Sequence, residues 1–342
     1  MHKNTSRQLV RQTLTFGKPA RVPRQLWLLP WAVTHYPHEV QRIQERFPDD
    51  VCGAPGFLRQ AYVVQGDPYK LGTYIDEWGC IFENRQPGVI GEVKQPVIET
   101  WDDLERLKPP EAALTVDLDR VNAFCRQSNL FILGGCCPRP FERMQFLRSS
   151  ANLYLDLGEE SPELMQLLHK VHGFFLDELE LWAKSDVDGL SFMDDWGAQR
   201  ALLISPRQWR KIFKPLYKEY IDLAHHYGKF IFMHSDGYIA DIIPDLVELG
   251  LDALNSQLFV MDIEKLGSQF AGKITFWGEI DRQHILPAPD ADLARQAVRR
   301  VRTALWKDGG CIAQCEFSAG TRPENVWAVF ETWEGGSCST IE

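Results

Sequence analysis

The sequence predicts an α/β protein: a single (β/α)8 barrel over residues 1–342, with an irregular N-terminal extension. Three observations predict it. Helix-like stretches ending at Gly or Asp alternate with short apolar strands, as in "FFLDELELWAKSDVDGLSFMDD", "KEYIDLAHHYGKFIFMHSDG" and "EKLGSQFAGKITFWGEIDR". Such repeated units put parallel strands under helices. No low-complexity tract or Pro/Gly/Ser linker divides the chain. Neither GxGxxG nor GxxxxGK[ST] follows the first strand, so nothing marks the nucleotide-binding form of an open doubly wound sheet, the runner-up architecture.

The strands follow in order. Apolar runs predict them at Gln25–Leu29, Phe131–Cys136, Gly189–Met193, Phe230–His234, Ala253–Ser256, Ile274–Gly278 and Cys311–Cys315. A closed barrel needs an eighth, expected between the first and Phe131, near Val63, Phe82 or Val97. The clearest helix is "ISPRQWRKIFKPLYKEYIDLAHHYGK". Ser205 is its N-cap, Pro206 its first residue and Gln208 closes a capping box. Trp209, Phe213, Leu216, Tyr217 and Tyr220 form its core face, Pro215 lies inside it, and Gly228 stops it.

Composition narrows the function. The chain is 44% hydrophobic and 25% charged, with 37 basic and 47 acidic side chains and a formal net charge of −10. An acidic chain without a basic cluster is not built to hold a phosphate backbone, so nucleic acid is excluded as partner. No apolar run is long enough to span a membrane, and the N-terminus lacks a signal peptide's apolar core. Eight cysteines without a CxxC pair or a secretory signal read as reduced thiols in a cytoplasmic protein.

In a barrel of this kind, chemistry sits at the C-terminal ends of the strands. Those ends carry Arg139 and Glu142, Asp194 and Asp195, His234 and Asp236, Asn255 and Gln257, Glu279, then Cys315 and Glu316. His234 and Asp236 stand two apart on an extended segment and so share a face. An imidazole and a carboxylate placed this way suit a divalent metal, commonly zinc, and Cys315 is the candidate third ligand. Each has a plainer reading. His234 serves equally as a hydrogen-bonded core histidine, Asp236 as a turn residue before Gly237, and Cys315 as a buried thiol. Asp76 and Trp78, in "YIDEWGCIFEN", belong to a loop over the mouth. Trp31, Trp78 and Trp196 near strand ends, with Asp76, Asn255 and Gln257, are candidates for substrate contact.

The stretches "GKFIFMHSDGYIADIIPDLVELGLDALNSQ", "ITFWGEIDRQHIL" and "CIAQCEFSAGTRPENVWAVFET" together resemble the uroporphyrinogen decarboxylase superfamily, most closely its branch of zinc-dependent corrinoid methyltransferases. The resemblance runs along the chain and is sharpest from Gly189 to Glu331. True decarboxylases carry an RQAGRY-type segment after the first strand, where this chain reads "LLPWAVTHYP". They also carry a His six residues before the Thr of T-x-P-E-N. Here that Thr is Thr321 and the residue is Cys315, as in the methyltransferases. Those enzymes bind zinc through His-x-Cys after the fifth strand, where this chain has His234-Ser235-Asp236.

The resemblance implies a zinc-dependent methyltransferase, with His234, Asp236 and Cys315 on the metal. Glu279, Asp194 and Asp195 are then the candidate proton carriers. A methyl group would pass between a small thiol, methoxy or methylamine substrate and a corrinoid (methylcobalamin) supplied by a corrinoid-binding partner protein, since the chain lacks a DxHxxG motif of its own. Members of the superfamily often pair, which leaves a homodimer open. The alternatives are a metal-independent decarboxylase or lyase acting on a non-porphyrin carboxylate, a non-catalytic binding module and a metal-dependent hydrolase.

Overall fold

The computed structural model describes residues 4–335. Its strands are β1 (Arg24–Leu28), β2 (Val51–Gly53), β3 (Gly72–Ile75), β4 (Ile81–Asn84), β5 (Glu92–Gln95), β6 (Phe131–Leu133), β7 (Gly189–Met193), β8 (Phe230–Ser235), β9 (Ala253–Ser256), β10 (Thr275–Trp277) and β11 (Cys311–Phe317). Eight of them form one sheet in the order β1–β11–β10–β9–β8–β7–β6–β2, every pair parallel. With helices between successive strands, this is the predicted barrel.

The eighth strand is β2, not a segment near Val63, Phe82 or Val97. Three residues are too few to show an alternating pattern. Phe82 instead lies in β4, within a separate antiparallel sheet β3–β4–β5 inserted between β2 and β6. The barrel closes between β1 and β2 without a regular ladder. The Asp50 N–H donates to the Arg24 carbonyl at 2.8 Å. The Asp49 and Asp50 carboxylates accept the amides of Leu26 at 2.7 Å and Arg24 at 2.9 Å. Side-chain oxygens thus satisfy β1 donors that a neighbouring strand would otherwise serve. Burial pushes the Asp49 carboxyl up to about 6.

The N-terminal segment is ordered where an irregular extension was expected. Thr5 and Gln8 form a capping box on helix Ser6–Leu14. Arg7 and Arg11 bind the buried Asp188 just before β7, at 2.9 and 2.8 Å. The apolar face of that helix, Val10 and Leu14, plugs the lumen against Val51, Phe131, Phe232, Trp277 and Ile312. Residues of the other parity pack outward. On β11 these are Cys311, Ala313, Cys315 and Phe317, which join the core between strands and helices.

The predicted helix runs from Pro206 to His226, with Pro215 inside it. Ser205 caps it by accepting the Gln208 N–H at 3.1 Å. The box does not close, because the Gln208 side chain donates to the Leu157 carbonyl at 2.6 Å instead. Gly228 follows the helix end with φ +68°, a conformation that only glycine adopts without strain.

Candidate functional site

The site is built on β8. Alternation turns Phe232 and then His234 into the lumen. The imidazole rests on an aromatic floor, with its ring 5.2 Å from Trp27, itself 5.2 Å from Trp277. His234 Nδ1 lies 2.6 Å from Asn255 Oδ1. The Asn255 amide donates through Nδ2 to the Trp277 carbonyl. That carbonyl only accepts, so it fixes which end of the amide faces the ring. Nδ1 therefore carries the proton, and the Nε2 lone pair points at the mouth.

Two carboxylates converge on that lone pair. Nε2 is 3.5 Å from Asp195 Oδ1 and 3.6 Å from Asp236 Oδ1. Both are too long for strong hydrogen bonds. The candidate ligand atoms of Asp195, His234 and Asp236 all lie within 4.8 Å of one another. Asp236 binds Arg282 through Oδ2. Its Oδ1 is buried, and among the described residues nothing donates to it. The Asp195 carboxyl accepts the Asp236 N–H at 2.9 Å. Burial raises its pKa, and His234 opposes the rise. One imidazole nitrogen and two carboxylate oxygens, with room for an exchangeable position, fit a divalent ion such as zinc.

Cys315 does not join this cluster. It is fully buried on the outward face of β11, where burial raises its thiol well above the usual range. Its neighbour Glu316 has the lumen parity and pairs in register with Trp27. The third acceptor is instead Asp195, expected to be a proton carrier.

The other predicted residues divide into scaffold and rim. Asp194 is fully buried and accepts the N–H groups of Phe141 and Glu142, at 3.1 and 2.8 Å, and the Tyr217 hydroxyl at 2.7 Å. It caps helix Pro140–Arg148 from outside, so its bonds are scaffold bonds. Trp196 corrects another expectation. It stacks on Phe141 at 4.0 Å and donates to Tyr217 at 2.7 Å, wholly inside the core. Trp31 stacks on His35 at the rim, at 4.1 Å. Asn255 orients the histidine. Gln257 accepts the Gly237 N–H at 3.1 Å. The predicted mouth loop is the β3–β4 hairpin, in which Asp76 receives the N–H groups of Trp78 and Cys80 and pairs with Arg143.

Glu279 is 1% exposed and its Oε2 has no hydrogen-bond donor among the described residues. Burial lifts its carboxyl well above the usual range, against the pull of Arg282. Arg282, which sequence reasoning missed, faces three acids: Asp236, Glu316 at 3.3 Å and Glu279 at 3.5 Å. One cation is shared among three acids, and Glu279 is the most buried of them. The spacing from Glu279 to Arg282 after a strand end was the available signal.

Two cavities open here. One of about 220 Å³ is lined by Gln257, Glu279 and Arg282. The other, about 880 Å³, lies between the β3–β5 sheet and the barrel, and Asp76, Trp78, Arg139, Glu142, Arg143 and Glu178 line it. Among the described residues no helix is long and apolar enough to cross a membrane, and the seven cysteines there are unbridged.

No family model and no curated protein matches the chain. Among solved structures it is similar to a methyltransferase from Methanosarcina mazei, 16% identical with a TM-score of 0.65, over 97% of this chain and 99% of that one. It is also similar to a B12-independent methionine synthase from a Shewanella species, 13% identical with a TM-score of 0.47, over 92% and 95% of the two chains. A third is an endo-beta-1,4-xylanase from Gloeophyllum trabeum, 12% identical with a TM-score of 0.42, over 93% and 98%. At these identities the likeness is one of fold.

Proposed function

We propose that this chain is a zinc-dependent enzyme that moves a methyl group between a small substrate and a corrinoid carried by a partner protein. It would be a member of the methyltransferase branch of the uroporphyrinogen decarboxylase superfamily, with Asp195, His234 and Asp236 as metal ligands in place of a set containing Cys315. One observation carries the reading: three acceptor atoms converge while Asp236 Oδ1 stays buried with no donor among the described residues. Buried acceptors without donors are costly, and a cation among them removes the cost. The full-length likeness to a barrel methyltransferase supports the reaction class.

Zinc held by these residues would supply Lewis acidity toward a substrate heteroatom that has a lone pair, such as a methoxy oxygen. Asn255 holds the imidazole in the tautomer that leaves Nε2 free. Arg282 ties down the far oxygen of Asp236, so that carboxylate offers one oxygen only. Glu279, its carboxyl lifted by burial, stands beside Arg282 as the candidate proton donor. With a methoxy donor, the methyl group leaves without its bonding pair, the pair stays on oxygen, and Glu279 returns the proton that oxygen then needs. A cationic methylammonium donor leaves as a neutral amine and needs none. The oxygen-rich ligand set favours oxygen- and nitrogen-centred substrates over thiols.

The test is metal analysis of protein purified without chelator, followed by methyl transfer to reduced cobalamin from methoxy and methylamine donors, read from the cobalt absorbance. About one zinc per chain with donor-dependent methylation is expected. Metal-free protein that decarboxylates a small acid would establish the lyase reading instead.

A further inference from the structure

The larger cavity contains a carboxylate that the metal centre does not use. Glu178, on helix Pro162–Ala183, is 8% exposed and lines that cavity. Among the described residues no hydrogen bond or ion pair reaches its side chain. The other charges near it are already matched. Arg139 binds Glu142 at 3.0 Å, and Arg143 holds Asp76 together with Glu77 at 3.2 Å. Five carboxylates and two guanidiniums line the cavity, so the imbalance is negative. Tyr62 lines the same cavity at 39% exposure. Burial, reinforced by Glu77 and opposed by Arg139 and Arg143, pushes Glu178 itself up to about 7. Aromatic rings contribute to the same lining, Tyr62, Tyr74, Phe174 and Phe175 among them.

A buried carboxylate with no partner among the described residues, in a cavity also lined by aromatic rings, suits a soft organic cation. Quaternary and tertiary ammonium groups are stabilised by ring faces and a single anion, and demand few hydrogen bonds. A metal ion or a primary ammonium would require more oxygen ligands than Glu178 offers. Glu142 connects the cavity to the strand end of the metal centre, since it lines the cavity and donates its N–H to Asp194, the neighbour of Asp195.

We infer that this cavity binds the cationic end of a methylated ammonium substrate, with Glu178 as its counter-ion and Tyr62 as part of its aromatic wall. The inference rests on the methyl-transfer reading and selects one substrate class within it. The C–N bond would break with its pair kept on nitrogen, the amine would depart neutral, and the methyl group would pass to the reduced corrinoid, which supplies the pair for the new bond.

Calorimetric titration of the full chain with choline, and with 3,3-dimethylbutan-1-ol as its uncharged isostere, tests the site without any corrinoid. Choline is expected to bind at least tenfold more tightly than the isostere. Its affinity should rise with pH through about 7, as Glu178 ionises. Glu178→Gln should weaken choline at least tenfold without changing the metal content. Should that variant fold poorly, Tyr62→Leu, at a half-exposed position, should weaken choline roughly two- to fivefold. Equal binding of choline and its isostere, no binding, or indifference to both variants overturns the site. Choline binding without methyl transfer to reduced cobalamin supports the site and overturns the methyl-transfer reading instead.

Discussion

Two acidic clusters lie at the same end of this barrel and handle their charge in opposite ways. Beneath the hairpin, Asp76 and Glu77 close on Arg143, whose guanidinium also stacks over Trp78 at 5.1 Å and Phe146 at 5.4 Å. There both carboxylates meet a guanidinium nitrogen inside the protein. At the end of β8, Asp195 and Asp236 face the lone pair of an oriented histidine, and one buried oxygen has no donor. That cluster becomes complete only when a cation enters. Density of acidic side chains therefore does not identify a metal centre. Unmatched acceptors held in place from behind do.

Removing the centre of the open cluster has the largest effect. His234→Ala takes away the only nitrogen ligand and leaves two carboxylates that repel each other. It should abolish stoichiometric zinc, read by elemental analysis after desalting, while the thermal unfolding midpoint of metal-free protein moves little. If the variant retains a full equivalent of zinc, the contrast between the clusters is lost.

The closed cluster responds in stability instead. Arg143→Met strands two carboxylates beneath the hairpin, and breaking a buried pair from one side costs about 3–5 kcal/mol. Denaturant unfolding should show that loss with zinc content unchanged. Next in size is the support behind the histidine. Asn255→Leu removes the acceptor on Nδ1 and frees the tautomer, which should weaken zinc by roughly 10–100-fold in a chelator competition.

How far these clusters were legible in the sequence follows from what carries them. Strand-borne residues could be read. His234 and Asp236 share a face because strand alternation has a period of two, and the barrel followed from the repeated helix–strand rhythm. Insertion-borne features could not. The β3–β5 sheet and Arg143's partners are joined across long separations by tertiary packing, which leaves no periodic trace. The eighth strand was hidden for a related reason, since β2 is three residues long and carboxylates, rather than a ladder, join it to β1. Trp196 was misplaced because a tryptophan beside a strand end looks the same in sequence whether it faces a pocket or, as here, Phe141. Arg282 was readable only from its spacing after Glu279.

At Cys315 the strand alternation points away from the metal, although strand-end position and the resemblance both point toward it. In "CIAQCEF" the small and apolar residues Cys311, Ala313, Cys315 and Phe317 fall on one parity, and Ile312, Gln314 and Glu316 on the other. Lumen residues near a charged mouth are the polar set, so the alternation itself turns Glu316 inward and Cys315 toward the helices. The register agrees, placing Cys315 opposite Leu26 and Glu316 opposite Trp27 beneath the histidine. Cys315→Ala should therefore have the smallest effect of the series. Zinc stoichiometry and affinity should be unchanged, and unfolding should show only the modest loss expected when a small buried side chain is trimmed. A thiolate ligand would give the opposite pattern, with metal lost and stability otherwise kept, so this one variant separates the oxygen-rich centre from the thiolate centre of the enzymes the chain resembles.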